Sequence, residues 1–332
     1  MTPPLIAETR AREIFSRFAH RRVLVVGDCM LDHWLWGTVH RISPEAPVPV
    51  VDIDRSTYTA GGAANVVHNL CKLGAGCGIV GIVGDDESGR KLRQMLEDEG
   101  ARTDALLALA GRPTTTKTRI IAHNQQVVRA DTECRDRIDD EATRALLQAV
   151  GSELGDYDAV LFSDYNKGVL IPGLVEPLLD TARRKGVPVV AQPKPENVQM
   201  FPTVTLLAVN EREAHGATAI ACDTETGTEA AGHEMMRRLH PEAVLITRGH
   251  RGMSLVASQN EAHHVPALAR QVYDVSGAGD TVVSVLTLCL VAGATLLEAT
   301  QLANLAAAVV VQKVGTATVE VNEIVEALRD LE

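Results

Sequence analysis

Asp158-Ala159-Val160-Leu161-Phe162-Ser163-Asp164 is an apolar run with its polar residues at the ends. So short a continuous run reads as a strand buried on both faces. Residues 22–28, Arg-Val-Leu-Val-Val-Gly-Asp, have the same form and end in a glycine turn. The form recurs at residues 188–193, 205–210 and 243–249, with helical patterns between. Strands alternating with helices predict an α/β fold: a doubly wound, mostly parallel sheet with helices on both faces. Ligands of such sheets bind beyond the C-terminal ends of the strands. The polar residues at those ends are Asp28, Asp164, Asn210 and Thr247.

Further elements follow from periodicity and caps. Residues 6–18 read as a short helix before the first strand, 61–73 as a helix closed by Gly74, and 77–83 as a strand. Residues 88–99 read as a helix capped by Ser88 and closed by Gly100. Two stretches break the rhythm. Residues 33–59 alternate apolar residues around Pro44, Pro47 and Pro49, and residues 114–131 hold two β-like runs flanking His123-Asn124-Gln125-Gln126. Both are expected as strands outside the main sheet, folding into a flap over the ligand crevice. The alternative is ordinary edge strands of that sheet. No linker, repeat or low-complexity segment divides the chain. The expectation is one domain over residues 1–332, with a β lid built from about 33–59 and 114–131.

The 332 residues are 45% hydrophobic but only 3% aromatic, so the core rests on Val, Leu, Ile and Ala. The formal net charge of -11 argues against a general binder of nucleic acid or anionic membranes, and phosphates must be held by local loops. Residues 1–20 show neither signal peptide nor anchor, and residues 281–292 are too short to span a bilayer. The six cysteines (Cys29, Cys71, Cys77, Cys134, Cys222 and Cys289) form no C-x-x-C pair, which suits a reduced, cytoplasmic protein. His233-Glu234-Met235-Met236-Arg237 fails as a zinc-protease helix, because Arg237 stands where a second histidine is needed.

Chemistry concentrates in Asp274-Val275-Ser276-Gly277-Ala278-Gly279-Asp280-Thr281, followed at once by an apolar helical pattern. The glycines turn the backbone tightly, and a helix N-terminus makes the turn an anion site. Asp280 sits at its mouth. An anion hole beside a carboxylate base is what phosphoryl transfer to a hydroxyl needs. The plainer reading is a glycine loop capping a core helix. There is no Gly-Lys pair for a Walker A loop, and no third glycine for a dinucleotide fingerprint. Gly61 and Gly62 open a helix and let a ligand approach the backbone, Asn65 can donate and accept, and Asp28 and Asp32 can accept from sugar hydroxyls. Asn210 and Glu213, three apart on a new helix, could hold magnesium-bound waters or could simply form a capping box. Thr247, Gly249 and Gly252 shape a turn able to offer N–H groups and a hydroxyl to phosphates.

These pieces, in this order, resemble the PfkB (ribokinase-like) family of carbohydrate kinases over nearly the whole chain. The carriers are Gly61-Gly62 with Asn65, Asn210-x-x-Glu213, Thr247-x-Gly249 and Asp274-x-Ser276-Gly277-Ala278-Gly279-Asp280. The resemblance implies a ribokinase-like fold whose β lid often pairs between subunits, hence a homodimer. It implies ATP and Mg2+, with a monovalent cation left open. Residues 41–50 and 163–168 look like the heptose 7-phosphate kinases of that family, which phosphorylate an anomeric hydroxyl on the way to ADP-heptose and lipopolysaccharide core. With no H-x-G-H and no second domain before Glu332, a stand-alone kinase is expected.

The implied roles are as follows. Asp280 is the base, and the N–H groups of Gly277, Ala278, Gly279 and Asp280 form the anion hole. Asn210 and Glu213 organise magnesium through water. Thr247, Gly249, Gly252, Lys194 and Asn304 serve the nucleotide. Asp28, Asp32, Gly61, Gly62, Asn65 and Asp164 serve the sugar, with Lys117, Arg119, Lys167 and Arg41 as candidates for its phosphate. Gln192 departs from the Asp that related heptose kinases tend to carry. A PfkB kinase of another sugar and a noncatalytic sensor on the same fold remain alternatives.

Overall fold

The computed structural model describes residues 5–331 apart from 124, 259, 260, 270 and 314; the tip of the expected 123–126 turn, Asn124, lies outside them. The strands among the described residues are β1 (Arg22–Gly27), β2 (Cys29–Ile42), β3 (Pro49–Gly62), β4 (Gly76–Gly84), β5 (Arg102–Leu109), β6 (Thr116–Ala122), β7 (Gln125–Thr132), β8 (Ala159–Ser163), β9 (Val189–Gln192), β10 (Leu206–Asn210), β11 (Ala243–Thr247), β12 (Met253–Ser258) and β13 (Glu261–Val265).

Nine of them form one sheet in the order β13-β12-β11-β10-β9-β8-β1-β4-β5. From β11 to β5 every pairing is parallel, and β12 and β13 add an antiparallel edge. The chain starts at β1, winds outward through β4 and β5, then returns to β8 on the other side of β1. The strand order therefore reverses between β1 and β8, and the crevice at such a reversal is where open α/β sheets bind ligands.

Each central strand serves two cores, because successive side chains point to opposite faces. Val23 and Val25 of β1 pack with Leu70, Val282, Val285 and Leu302. Leu24 and Val26 pack with Leu146, Leu174, Leu178 and Met235 on the other face. Helices Ala63–Lys72, Ala278–Val291 and Leu296–Val310 cover the first face; Asp140–Val150, Pro172–Lys185 and Glu225–Leu239 cover the second. No described helix is long and apolar enough to cross a membrane.

A second sheet has the order β3-β2-β6-β7. Only Asp28 separates β1 from β2, so the chain passes directly from the main sheet into the second one. The second sheet's strands run further than the sequence expectation. β2 begins at Cys29, and β3 continues through Gly61 and Gly62, so these glycines end a strand and the helix starts at Ala63.

Other boundaries also move. The first helix is Glu8–Phe15, followed by a separate single turn at Phe18–His20. The cap of the helix Glu87–Asp98 is Asp86 rather than Ser88, because the Asp86 carboxylate accepts from Gly89 N–H at 2.7 Å.

Candidate active site

The helix Ala278–Val291 begins where Gly277 turns the chain with φ +79°. A Cβ there would lie 2.9 Å from Thr316 Cγ2 and 3.0 Å from Asn65 Nδ2, so glycine is required by space as well as by conformation. Asp274 braces the loop. Its carboxylate accepts from Ser276 N–H at 2.9 Å and Gly315 N–H at 3.1 Å. In the turn itself, Ala278 N–H donates to Val275 O and Asp280 N–H to Gly277 O, at 3.3 and 3.0 Å.

Asp280 is buried, 4% exposed, and its two carboxylate oxygens have different donors. Asn65 Nδ2 donates to Oδ2 at 2.7 Å, and the Tyr165 hydroxyl donates to Oδ1 at 2.7 Å. Burial raises its pKa to about 6, against the lowering effect of those two hydrogen bonds and of Lys194. Burial and the same carboxylate push the Tyr165 phenol well above its usual range, so it stays a donor. Behind Asn65, Asn69 Nδ2 donates to Asn65 O at 2.8 Å, and the Thr281 hydroxyl donates to Asn69 Oδ1 at 2.8 Å. Two helices from distant parts of the chain thus fix one carboxylate.

Asp28 and Asp164, at the ends of β1 and β8, face inward to loops. Asp28 accepts from the N–H groups of Tyr165, Lys167 and Val169 at 2.9, 3.1 and 3.2 Å. A carboxylate has about four acceptor positions, so one is left for any ligand. Asp164 accepts from Asn166 N–H and Lys194 N–H, at 2.7 and 2.8 Å, and from Asn197 Nδ2. In both, burial raises the pKa and the loop N–H groups work against it. Both residues organise loops in this structure, beside the sugar contact expected of them from the sequence. Asp32 accepts from Arg119 Nη1 at 2.6 Å, and its Oδ2 lies 2.9 Å from where a Gly61 Cβ would stand.

Asn210 and Glu213 form a reciprocal capping box, with both bonds at 2.9 Å. The other Glu213 oxygen takes a bond from Lys194 Nζ at 2.5 Å. Gln192 lies beside the glycine loop, with Nε2 3.3 Å from the position of a Gly279 Cβ, and its Oε1 is buried with no partner among the described residues. On the far side of that loop an apolar cleft of about 520 Å³ is lined by Thr247, Gly249, Gly252, Ala278, Gly279, Asn304 and Val311, among others. Asn304 Nδ2 donates to Pro266 O at 2.8 Å, which holds the cleft's wall.

The charged candidates gather on the second sheet and the loop after β8, paired with acids. Lys117 Nζ lies 3.1 Å from Asp131 and 3.9 Å from Glu133. Lys167 pairs with Glu133, and Arg119 bridges Asp32 and the Trp34 ring. Arg41 is exposed at the end of β2 and stands apart from this cluster. The sequence reading missed Tyr165 as a site residue. Its signals were its place directly after a strand-end aspartate and within the 163–168 resemblance; nothing local shows that its hydroxyl reaches a residue 115 positions away.

Similar proteins fit this picture. The chain is 44% identical over 316 residues to bifunctional protein HldE of Pelobacter propionicus, covering 95% of this chain and 64% of that protein. It is 43% identical over 317 residues to bifunctional protein HldE of Geotalea uraniireducens, covering 96% and 63%. The chain therefore spans somewhat less than two thirds of these relatives. Arabidopsis thaliana ribokinase complexed with ribose and ATP superposes with a TM-score of 0.73 at 19% identity, over 93% of this chain and 99% of that one. Escherichia coli phosphofructokinase-2 in complex with potassium gives 0.75 at 17%, over 94% and 99%. Those two likenesses establish the ribokinase-like fold. Residues 20–323 match the pfkB family of carbohydrate kinases, and the chain belongs to that family of phosphotransferases with an alcohol group as acceptor.

Proposed function

We propose that this chain phosphorylates the anomeric hydroxyl of D-glycero-β-D-manno-heptose 7-phosphate, using ATP and Mg2+. The observation that carries the mechanism is the buried Asp280, held by Asn65 and Tyr165 at a glycine-turned helix N-terminus. A carboxylate with a pKa of about 6 is ionised at neutral pH yet basic enough to take a hydroxyl proton as the phosphoryl bond forms. The N–H groups of Gly277 and Gly279, at the open end of the helix, are the donors free of the loop's own bonds with Val275 and Gly277 carbonyls. Together with the helix dipole they face the charge on the moving phosphoryl.

The apolar cleft beside the loop suits the base and ribose of ATP, with Thr247, Gly249, Gly252 and Asn304 on its walls. Lys194, now bonded to Glu213, would leave it to contact phosphate oxygens. Among the described residues no cluster of three or more His, Cys, Asp or Glu side chains could hold a metal directly. Magnesium is bound mainly by phosphates and water, and Asn210 and Glu213 would contact its waters. When bound, the ion would neutralise charge on the transferred group.

Gly61, Gly62 and Asn65 border the sugar's position next to Asp32. Lys117, Arg119 and Lys167 form the cationic group for the distal phosphate. The second sheet acts as a lid that excludes water during transfer, and its outer surface pairs with a second copy in a dimer. One observation favours a second reading, a pfkB kinase of an unphosphorylated sugar: each of those three cations is already paired with an acid.

Magnesium- and ATP-dependent turnover on heptose 7-phosphate, free heptose, ribose and fructose 6-phosphate, with products read by phosphorus NMR, decides between them. Selective formation of a heptose 1,7-bisphosphate supports the proposal. Turnover of a free sugar alone transfers the same mechanism to another substrate.

A further inference from the structure

Cys71 lies in the last turn of the helix Ala63–Lys72, and Cys77 near the start of β4. Their Sγ atoms are 2.9 Å apart. A disulfide needs a separation of about 2.05 Å, so an approach of about 0.9 Å would close it. Five residues join the two cysteines, and Gly74 among them turns at φ +88° with nothing within 4 Å of where a Cβ would stand. The connection is short and able to adjust.

The two thiols are not equivalent. Cys71 is half-buried, whereas Cys77 is buried. The hydrogen bond from Cys77 holds Cys71 below the ordinary thiol range against burial and Glu99, with neighbouring Lys72 working in the same direction as Cys77. The same hydrogen bond, with burial, pushes Cys77 up. Close by, His68 Nδ1 and Glu99 Oε1 pair at 2.5 Å, so Glu99 has a partner of its own. One cysteine is thus suited to attack from the surface and the other to resolve the adduct from within.

We propose that Cys71 and Cys77 form a thiol–disulfide exchange site that reacts with small-molecule disulfides of the glutathione type. The Cys71 thiolate attacks one reagent sulfur, forms a mixed disulfide and expels one thiolate. Cys77 gives up its proton to solvent, attacks the Cys71 sulfur and expels the second thiolate. Two protein thiols become one disulfide, and one reagent disulfide becomes two thiols. The new bond ties the C-terminal end of a helix to the main sheet. The first turn of that same helix presents Asn65 to Asp280.

The test treats the folded, reduced protein with oxidised glutathione and maps it by mass spectrometry after trypsin. The expected product is lighter by two hydrogens and joins residues 56–72 to residues 73–90. Dithiothreitol should reverse it. Cys77→Ser should instead accumulate a glutathione adduct on Cys71, and Cys71→Ser should yield no product at either position. A stable wild-type adduct on Cys71 beside a reduced Cys77 would overturn the proposal. So would failure of both cysteines to react when the half-buried Cys134 does. The wild-type map alone decides the matter if either variant fails to fold.

Discussion

At the scale of the residue, the molecule turns on Asp280. Its ordinary carboxyl pKa of 3.8 rises to about 6 in the fold. A base must be ionised to work, so kcat/KM should fall as pH drops through about 6, as a pH profile of the free enzyme would record. Tyr165→Phe removes a donor that favours the charged form. It should move that acidic limb to higher pH without unfolding the protein. Asp280→Asn should lower turnover about 10²–10⁴-fold, measured by coupled ADP release.

The same substitution should raise the melting temperature. Between pH 3.8 and 6 the native state holds a proton that the unfolded chain has lost, so stability declines as pH rises through that window. Above it, the buried charge remains a net cost. An asparagine can still accept from Asn65 and donate to the Tyr165 hydroxyl, so it removes the charge and keeps both bonds. A melting temperature that falls in Asp280→Asn would contradict the assignment of burial as the dominant cause.

At the scale of the element, loops and helix ends are held by carboxylates and glycines. Gly277→Ala forces a side chain into a left-handed turn, at a cost of about 1–2 kcal/mol, and against Thr316 and Asn65. Both stability and kcat should drop, because the strain falls on the group that holds Asp280. Asp28→Ala strands three N–H donors of the 165–169 loop, those of Lys167 and Val169 buried, and should cost on the order of 3 kcal/mol. Denaturant titration would measure it, and a loss below 1 kcal/mol would show that the loop does not depend on Asp28.

Much of this scale was legible beforehand. β1, β8, β10 and β11 announce themselves as apolar runs, and the helix after Gly279 by its composition. Ser88 and Asp86 are both good caps by residue type, and the Asp86 carboxylate takes the Gly89 N–H while the Thr114 N–H and hydroxyl hold it in place. β5 and the β12–β13 edge lacked a long periodic run and became visible only as neighbours of strands already in place.

At the scale of the whole molecule, the second sheet carries Ile53 and Val128 at 46% and 48% exposure, with Ile42 more exposed still and Val48 exposed in the β2–β3 connection. Exposed apolar side chains on one small sheet fit a surface shared with a second copy. Sedimentation at micromolar concentration should give a dimer, and the double variant Ile53→Asp, Val128→Asp should give a folded monomer. A wild-type monomer would remove the second sheet from assembly.

The sequence by itself determined the α/β class, the strand ends that carry polar residues and the glycine-turned helix with Asp280 at its mouth. Those are local properties: short apolar runs, caps and glycine spacing act within a few residues. Only the tertiary structure decided which polar groups are free. Asp28 bonds the loop after β8, Asp164 reaches Lys194 and Asn197 after β9, Glu213 holds Lys194, and Tyr165 and Asn65 meet on one carboxylate from 115 and 215 residues away. A carboxylate in a sequence is an acceptor with unknown partners, and burial and hydrogen bonding across the β1–β8 crevice decide that Asp280 has a raised pKa and which N–H groups Asp28 and Asp164 accept from.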